Sequence, residues 1–564
     1  MSDINIKIKT KAKFKKGRRQ PRGRSVDSHA LVEVRSLLGS SSRKRYLLIE
    51  HLHKIQDEFG FISAAHLVAL ADEMKLAQSE VYEVATFYHH FDVIKDDQIP
   101  PPQLTVRVCN SLSCEMSGSE QLIKELEKTI GNEIRIQAVP CVGHCQLAPV
   151  AVVANNPVEK ATTDKVISVI ENQQTEASLP ESYINYESYK KEKGYELLSE
   201  CMSGIHKVED IIQTLEDSNL RGLGGAGFPT GRKWSILRTQ QSPRYVAVNI
   251  DEGEPGTFKD RHYLERDPHR FIEGTLIAAW AIQAKTVYIY IRDEYTGIRK
   301  MLKKELDQLR ENPPAKLPEI ILRRGAGAYI CGEESAMIES IEGKRGMPRL
   351  RPPYLAEVGL FGQPTLEQNM ESLYWVRDIV QKGADWFTSQ GRHDRKGLRS
   401  FSVSGRVNKP GVHLAPAGIT VRELIDEYCG GMLEGQTLYG YFPGGASGGI
   451  LPASLADTPL DFDTLQEYGC FIGSAAIIIF SDKDSAKKLA LNAMRFFEHE
   501  SCGQCTPCRV GTSKAVKLME QESWNIPLLK ELSKVMVDAS ICGLGQAAPN
   551  PLLCALKYFP QEFE

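Results

Sequence analysis

Two glycine-rich runs organise this chain: RGLGGAGFPTGRKW at residues 221–234 and NIDEGEPGTFKDR at residues 249–261. In the first run, glycines let an anion approach the backbone closely, and Lys233 supplies a cation beside them. The second run sets carboxylates among glycines, which suits hydrogen bonds to the hydroxyl and amide groups of a cofactor. Its members are Asp251, Glu252, Gly253, Glu254 and Gly256. We interpret the two runs together as the site where a nucleotide meets a flavin.

The residues around these runs alternate between strand and helix patterns. Strands are predicted at residues 244–250, 285–292 and 319–324, and helices at residues 271–282 and 298–311. This alternation is typical of a parallel sheet covered by helices. Gly222, Gly224 and Gly227 match G-x-G-x-x-G, but an amphipathic helix pattern precedes them where the dinucleotide fingerprint needs a strand. We therefore predict an anion site at a helix N-terminus, with a tight structural turn as the alternative for this loop taken alone.

A third loop follows the last of these strands, in GAGAYICGEESAMIESIEGKRGMPRLRPPY at residues 325–354. Gly325 and Gly327 again expose backbone, and Glu333 and Glu334 begin a helix. For either glutamate alone, favourable charge at a helix N-terminus is a sufficient explanation. Together with the two glycine runs, this loop indicates a composite nucleotide site.

Two pairs of cysteines lie close together in the sequence, Cys109-x4-Cys114 and Cys141-x3-Cys145, each at the end of a predicted strand. Adjacent loops would bring the four thiolates around one point, as a [2Fe–2S] cluster requires. A structural zinc site is the alternative, although zinc favours C-x2-C pairs.

A denser cysteine motif lies near the C-terminus, in a region that is otherwise helical. It consists of Cys502, Cys505, Cys508 and the more distant Cys542. Three cysteines at this spacing wrap one face of a cubane and a remote fourth closes it, which predicts a [4Fe–4S] cluster. The remaining cysteines are assigned no chemistry: Cys201, Cys331, Cys429, Cys470 and Cys554.

Other segments have patterns that predict structure more than chemistry. Residues 43–95 are predicted helical, and their four histidines, His51, His53, His89 and His90, are interpreted as packing or surface residues. Residues 172–200 are polar with scattered tyrosines, which is typical of a linker lying over the next domain. Residues 400–480 contain hairpin signals and one helix, which indicates a β-grasp-like module whose PGGASGG segment is a structural loop.

The composition is that of a globular protein of several domains, with 564 residues, 42% hydrophobic and 25% charged. No apolar run is long enough to span a bilayer and no secretory signal opens the chain, so we expect a cytoplasmic protein. Residues 1–24 carry ten Lys or Arg and one Asp. This segment is interpreted as a solvated arm, with docking to an acidic partner subunit as the alternative and no nucleic-acid role expected. Thirteen clustered cysteines in such a chain favour metal over disulfides.

These motifs resemble two subunits of respiratory complex I. Residues 43–175 are similar to its 24-kDa-type [2Fe–2S] subunit, and residues 200–564 to its 51-kDa-type NADH-binding flavoprotein. The resemblance implies a multidomain α/β chain: a basic tail (1–40), a helical domain (41–98), a thioredoxin-like [2Fe–2S] domain (99–175), a linker (176–200), a Rossmann-like FMN/NAD-binding domain (201–395), a β-grasp-like domain (396–483) and a helical [4Fe–4S] bundle (484–564).

The same resemblance assigns cofactor contacts. For FMN it implies Gly222, Gly224, Gly225, Lys233, Asn249, Asp251, Glu252, Gly253, Gly332, Glu333, Glu334, Asn369 and Ser372. For NADH it implies adenine stacking near Phe228 and Tyr354, Glu254 near the nicotinamide and Arg351 near the phosphates. The chain departs from the family pattern at Leu223, Ile236, Arg351 and Gln368.

The ending ASICGLGQAAPNP at residues 539–551, with the intact first cluster motif, looks most like the beta subunit of NAD-dependent molybdenum or tungsten formate dehydrogenase. That likeness implies a catalytic alpha subunit carrying the metal pterin and further clusters, with electrons passing through [4Fe–4S] and FMN to NAD⁺. No catalytic acid or base is expected, because hydride transfer needs none. The alternatives are the diaphorase of a NAD-reducing hydrogenase, a complex I module and, from another class, a zinc-binding scaffold.

Overall fold

The computed structural model describes residues 23–564. Its first part is helical, with α1 (Ser28–Leu38), α2 (Leu48–Phe59), α3 (Ala64–Met74), α4 (Gln78–Ala85) and a parallel pair of short strands, β1 (Ile62–Ser63) and β2 (Val93–Ile94). Asp27 caps α1 by accepting from the Ala30 amide at 2.9 Å. Val34 and Leu38 of this helix are buried. The predicted boundary of the tail at residue 40 is therefore too late, while most of the basic segment lies outside the described residues.

A thioredoxin-like unit follows. Its elements are β3 (Thr105–Cys109), α5 (Leu112–Met116), α6 (Ser119–Ile130), β4 (Arg135–Val139), β5 (Ala151–Val153), β6 (Asn156–Val158) and α7 (Thr163–Glu171). The sheet order is β4-β3-β5-β6, parallel between β3 and β4 and antiparallel elsewhere. Val106 and Val108 of β3 share a small apolar core with Leu122 and Leu126 of α6. This arrangement brings the carboxyl ends of β3 and β4 to one edge, where the first four cysteines lie.

The polar segment after α7 is held by its tyrosines. It contains α8 (Tyr186–Lys191) and α9 (Glu196–Ser203). The hydroxyl of Tyr189 donates to Glu273 at 2.6 Å, and that of Tyr183 donates to Glu305 at 2.7 Å. Since Glu273 and Glu305 are buried in the next domain, the segment lies over that domain with defined contacts.

The central domain is built on a fully parallel sheet. Its elements are α10 (Val208–Asp217), α11 (Thr230–Arg238), β7 (Arg244–Ile250), α12 (Lys259–Leu264), α13 (Pro268–Ala281), β8 (Ala284–Ile291), α14 (Thr296–Glu311), β9 (Glu319–Arg324), α15 (Glu334–Ile341), β10 (Thr365–Asn369), α16 (Met370–Tyr374), α17 (Val376–Lys382) and α18 (Ala384–Thr388). The sheet order is β10-β7-β8-β9. The sequence patterns do not predict β10, because its sequence TLEQN is polar. The strand order reverses between β7 and β10, which is where open α/β sheets bind ligands.

A second sheet forms the β-grasp-like domain. Its elements are β11 (Leu398–Gly405), β12 (Gly411–Pro416), α19 (Val421–Glu423) continued by a π-helical turn (Leu424–Tyr428), β13 (Leu438–Phe442), β14 (Leu451–Pro452) and β15 (Ala476–Ser481). The order is β12-β11-β15-β13-β14. β15 is buried along its whole length, which explains its continuous apolar sequence.

The last part of the chain is a helical bundle. It comprises α20 (Ala486–Glu500), α21 (Thr506–Met519), α22 (Ile526–Ala539), α23 (Gly543–Ala547) and α24 (Asn550–Tyr558). Cys505 lies immediately before α21 and Cys542 immediately before α23, so two helix N-termini begin at the second set of cysteines. Within residues 23–564, no helix is both long enough and apolar enough to cross a membrane.

Candidate cofactor sites

The first glycine run forms a closed loop between α10 and α11. The Gly222 amide donates to the Phe228 carbonyl at 2.8 Å, and the Leu223 amide donates to the Ser372 hydroxyl at 2.8 Å. A Cβ atom on Gly224 would lie 2.9 Å from the Cβ of Asn369. Gly225 has a φ of +125°, which side-chain-bearing residues rarely adopt. Only glycines therefore permit this loop to lie against the end of β10.

The second run leaves the carboxyl end of β7, beside the end of β10. Asn249 and Asn369 are register partners at this point. The Asn249 side-chain amide donates to the carbonyl of Gly332 at 2.9 Å and so ties the second loop to the third. Asp251 is different, because its buried Oδ2 has no hydrogen-bond partner in the described residues. Burial raises the pKa of this carboxyl well above its usual value.

The three loops enclose a cleft of about 310 Å³ at the reversal point of the sheet. Ten of the predicted cofactor residues line it: Gly224, Gly225, Asn249, Asp251, Glu252, Gly253, Glu254, Gly332, Glu333 and Asn369. Seven others lie outside its lining: Gly222, Phe228, Lys233, Glu334, Arg351, Tyr354 and Ser372. The structure therefore brings most of the predicted set together, from loops that are far apart in the sequence.

The residues outside the lining hold or border the loops. Ser372 anchors the glycine run through Leu223, as described above. Lys233 lies 3.1 Å from Glu367 and 3.6 Å from Glu334, measured from Nζ to the carboxylates. Burial alone would lower the pKa of Lys233, but these two carboxylates outweigh it and raise the pKa, so the side chain stays cationic. Arg351 forms an ion pair with Glu334 at 2.6 Å and with Glu333.

Two aromatic side chains predicted to stack with adenine are open to solvent. Phe228 is 42% exposed and Tyr354 is 56% exposed. Large exposed aromatic rings are available for stacking with a planar ligand. Their exposure fits the predicted role.

Sequence reasoning missed several residues of the cleft. Ser447 donates to Glu254 from both its amide, at 2.7 Å, and its hydroxyl, at 2.9 Å. The Tyr329 hydroxyl also donates to Glu254. The PGGASGG segment, interpreted from sequence as structural, thus fixes a predicted nicotinamide contact. The other missed lining residues are Ala226, Thr257, Lys259, Asp260, Ile330, Gly444, Phe471, Gly473, Ser474, Gly543, Leu544 and Ala547.

These features fit FMN. The unpartnered Asp251 oxygen can accept from a polyol hydroxyl, and the Gly224–Gly225 backbone leaves room that a Cβ would fill. Lys233 provides a retained positive charge near the loop. Bound FMN would supply two-electron exchange with NAD and one-electron exchange with iron–sulfur clusters. The chain's own residues would bind and orient the flavin.

The structure brings the first four cysteines together at the ends of β3 and β4. Cys109, Cys114, Cys141 and Cys145 are all buried. The Sγ atoms of Cys141 and Cys145 are 3.2 Å apart, and the Gly143 amide points at the Cys141 sulfur at 3.4 Å. Four buried sulfurs with an amide donor are a donor set that suits a [2Fe–2S] cluster.

Charged residues of the central domain hold the loop that carries Cys141. Arg292 donates to the Cys141 carbonyl at 2.6 Å and also to the carbonyl of Glu252. Arg261 donates to the Gly143 carbonyl at 3.0 Å. The Glu252 carboxylate in turn accepts from the Arg261 amide at 3.1 Å. The cofactor cleft and the first cysteine site are therefore joined by two arginines and a shared glutamate, a connection that no sequence motif indicates.

The second set of cysteines surrounds a small enclosed pocket. Its lining includes Cys502, Cys505, Cys508 and Cys542. Burial raises the pKa of Cys508 to about 11 and that of Cys542 to about 12, so thiolates here need a cation such as cluster iron. Ile330 and Leu544 line both this pocket and the cofactor cleft. A single layer of apolar side chains therefore separates the two sites.

Comparisons with known proteins agree with this division. Four family models match: thioredoxin-like [2Fe–2S] ferredoxin at residues 34–174, Nuo51 FMN-binding domain at 215–378, SLBB domain at 400–451 and NADH-ubiquinone oxidoreductase-F iron-sulfur binding region at 488–564. The predicted fold class and cofactors, FMN, NAD and both clusters, are confirmed by these matches.

Individual relatives cover different shares of the chain. The second of two F-type NADH-quinone oxidoreductase subunits of Rhizobium meliloti (strain 1021) is 42% identical over 392 residues, which is 67% of this chain and 93% of the relative. The mitochondrial NADH dehydrogenase [ubiquinone] flavoprotein 1 of Dictyostelium discoideum is 40% identical over 380 residues, 64% of this chain and 79% of the relative. A crystal structure of an NAD⁺-reducing [NiFe]-hydrogenase in the H₂-reduced state is 31% identical, with a TM-score of 0.81 over 93% of this chain and 94% of that one.

A flavin cleft together with two cluster sites defines the class of NADH-dependent flavin iron–sulfur oxidoreductase subunits. Within this class, the chain belongs to the F-type family of NADH-quinone oxidoreductase subunits, joined here to a thioredoxin-like [2Fe–2S] domain.

Proposed function

We propose that this chain is the NAD-reducing subunit of a soluble formate dehydrogenase. It would receive electrons from a catalytic subunit that carries a molybdenum or tungsten pterin and deliver them to NAD⁺. The observation that carries the proposal is the segment 539–551, whose sequence resembles the beta subunit of that enzyme. In the fold this segment contains the cluster ligand Cys542 and the cleft residues Gly543, Leu544 and Ala547. The segment that carries the resemblance therefore lies between the cofactor cleft and the [4Fe–4S] site, where its residues can affect electron transfer.

The roles of the chain's own residues follow from the contacts. We propose that Ile330 and Leu544 exclude water between the cleft and the [4Fe–4S] site, because both are apolar and buried. Ser447 and Tyr329 hold Glu254 in one orientation, where it can accept from an amide of the nicotinamide. Arg351 would bind the NADH phosphates by giving up its ion pair with Glu333 or Glu334 and pairing with a phosphate oxygen instead. No side chain is assigned as a general base.

A NAD-reducing hydrogenase diaphorase is the second candidate. The observation that favours it is the match to the hydrogenase chain, which covers both the cluster-bearing N-terminal part and the flavin-bearing part. The two candidates share the NAD half-reaction and differ in the partner that supplies electrons.

Metal analysis of the native complex tests the partner. The complex would be purified with this chain as bait and assayed for molybdenum, tungsten and nickel, and for NAD⁺ reduction by formate and by H₂. Molybdenum or tungsten with formate-dependent NADH formation is the expected result. Nickel with H₂-dependent NADH formation would replace the first candidate by the second. As a control, the isolated chain should reduce artificial dyes with NADH and leave formate unchanged, because its sequence carries no pterin-binding signature.

A further inference from the structure

A group of metal-ligand side chains lies outside the three cofactor sites. It consists of His89, from the loop between α4 and β2, and His499 and Glu500, from the last turn of α20. One donor atom from each residue lies within 4.8 Å of the other two. The two imidazole rings stack with centroids 4.1 Å apart. Three donors from two remote parts of the sequence thus converge on one point.

The surroundings of these residues leave room for an ion. All three line a cleft of about 260 Å³ whose walls come from the N-terminal helices, the thioredoxin-like unit, the central domain and the C-terminal bundle, and which extends to Cys141 and Asp251. Glu500 is only 7% exposed, and its Oε2 accepts from the Tyr329 amide at 2.9 Å. Its other oxygen, Oε1, lies 3.2 Å from Nδ1 of His499. One carboxylate oxygen is therefore fixed, and the other faces the histidines.

Other histidines near this cleft are satisfied singly. His53 contacts the Gly325 carbonyl at 2.8 Å, and His90 pairs with Asp293 at 2.8 Å. Each of these rings has a polar partner of its own. His499 contacts Glu500 through Nδ1 at 3.2 Å, and its ring stacks on that of His89, so the three side chains form one group around a point that an ion can occupy.

We propose that His89, His499 and Glu500 bind a divalent transition metal of the zinc type. Two imidazole nitrogens and one carboxylate oxygen are a donor set that suits Zn²⁺, with a fourth position open to water. Magnesium and calcium prefer all-oxygen sets and do not suit it. The ion links the N-terminal helical part to the C-terminal bundle, so it clamps the two ends of the chain across the cleft. This site takes no part in the proposed redox chemistry.

Zinc binding to the intact holoprotein tests the site. Anaerobically purified protein, freed of loosely bound metal with a weak chelator, would be titrated calorimetrically with ZnCl₂, and zinc and iron would be counted after gel filtration. Wild type should bind one additional zinc per chain with no loss of iron. His89→Gln and His499→Gln should each weaken binding at least about 10-fold, because the loss of even an outer-shell partner of a metal site costs about that much. His393→Gln is the matched control, because His393 is an exposed histidine that pairs with a glutamate, Glu423, at 3.1 Å.

X-ray absorption at the zinc edge provides a second, structural measurement. Nitrogen and oxygen neighbours at about 2.0–2.1 Å, with imidazole scattering, are expected. Sulfur neighbours at about 2.3 Å would show that zinc had entered a cysteine site and would overturn the proposal. Equal zinc binding by wild type and the His89→Gln/His499→Gln double variant would overturn it as well. Zinc should also raise the melting temperature of wild type and of His393→Gln and leave that of the double variant unchanged.

Discussion

The two cysteine sites are connected to the cofactor cleft in opposite ways. The [2Fe–2S] site is reached through charges and hydrogen bonds, with Arg292 donating to the Cys141 carbonyl on one side and to the Glu252 carbonyl on the other. The [4Fe–4S] site is reached through Ile330 and Leu544, which are apolar. A thin apolar wall keeps two redox sites close and dry, whereas an arginine bridge fixes relative position and sets local potential. From this contrast we expect the second site to exchange electrons with the flavin and the first to be coupled to it electrostatically.

Removing one ligand from each cluster should give the largest difference in activity between variants of the two sites. Cys508→Ser should lose the [4Fe–4S] iron and reduce partner-dependent NAD⁺ reduction to background, because the ligand set is incomplete. Cys114→Ser should lose the [2Fe–2S] iron and keep a measurable fraction of that activity. Iron analysis and low-temperature EPR check which cluster remains. Equal loss of activity in both variants would show that the two sites do not differ in the proposed way.

Thinning the apolar wall gives the next largest effect. Ile330→Ala should destabilise the protein by about 2–4 kcal/mol, because a fully packed side chain leaves a cavity. It should also slow reduction of [4Fe–4S] by NADH in freeze-quench EPR, since water can enter the gap. Leu528→Ala, at a 39% exposed position on α22, is the control and should change neither quantity. Unchanged reduction kinetics in the Ile330 variant would argue against the wall.

The pH dependence of stability should reveal the protonation of Glu252, which lies in the charged connection between the cleft and the [2Fe–2S] site. Burial first, and then the charge of Asp260, raise the pKa of Glu252 to about 7. The folded state therefore holds a proton that the unfolded chain releases above about pH 4.5. Below that pH the carboxyl is protonated in both states, and its contribution to the free energy of unfolding is fully present. As the pH rises from about 4.5 to about 7, this contribution is lost, and the free energy of unfolding falls by roughly 3 kcal/mol. The stability of wild type relative to Glu252→Gln should fall across this window in apoprotein unfolding; a flat difference would contradict the assignment.

Replacing the bridging arginine should give the smallest effect and the most selective one. Arg292→Met removes a positive charge that favours the reduced, more negative [2Fe–2S] cluster. A unit charge about 10 Å away at an effective dielectric of about 20 contributes about 1–2 kcal/mol, or roughly 50–100 mV for one electron. The [2Fe–2S] midpoint potential should therefore fall by this amount in an EPR redox titration, while that of [4Fe–4S] stays unchanged. Arg422→Met, at an exposed ion pair with Asp457, is the control and should shift neither.

Much of the site could be predicted because its chemistry depends on local spacing. Cysteine intervals identify clusters, and glycine with carboxylate runs identify loops that a cofactor can approach. β10 could not be predicted in this way, since Glu367, Gln368 and Asn369 give it a polar sequence although it pairs with β7. Likewise, α1 lies in a stretch assigned to the tail because basic residues precede it, although its sequence SHALVEVRSLL buries Ala30, Val34 and Leu38 at intervals of four residues.

The parallel sheet and the class of cofactor can be read from the sequence, because each depends on residue type and on intervals along the chain; the cluster ligands stay a prediction made from the same intervals. Which distant side chains meet is settled only when the domains pack. Packing places Ser447 and Tyr329 on Glu254, Arg292 between the cleft and Cys141, and Ile330 beside the second cluster site. It also stacks the imidazoles of His89 and His499, which are remote in the sequence. The pattern of apolar and polar residues along one segment of the chain does not determine which surfaces of separate domains will be in contact.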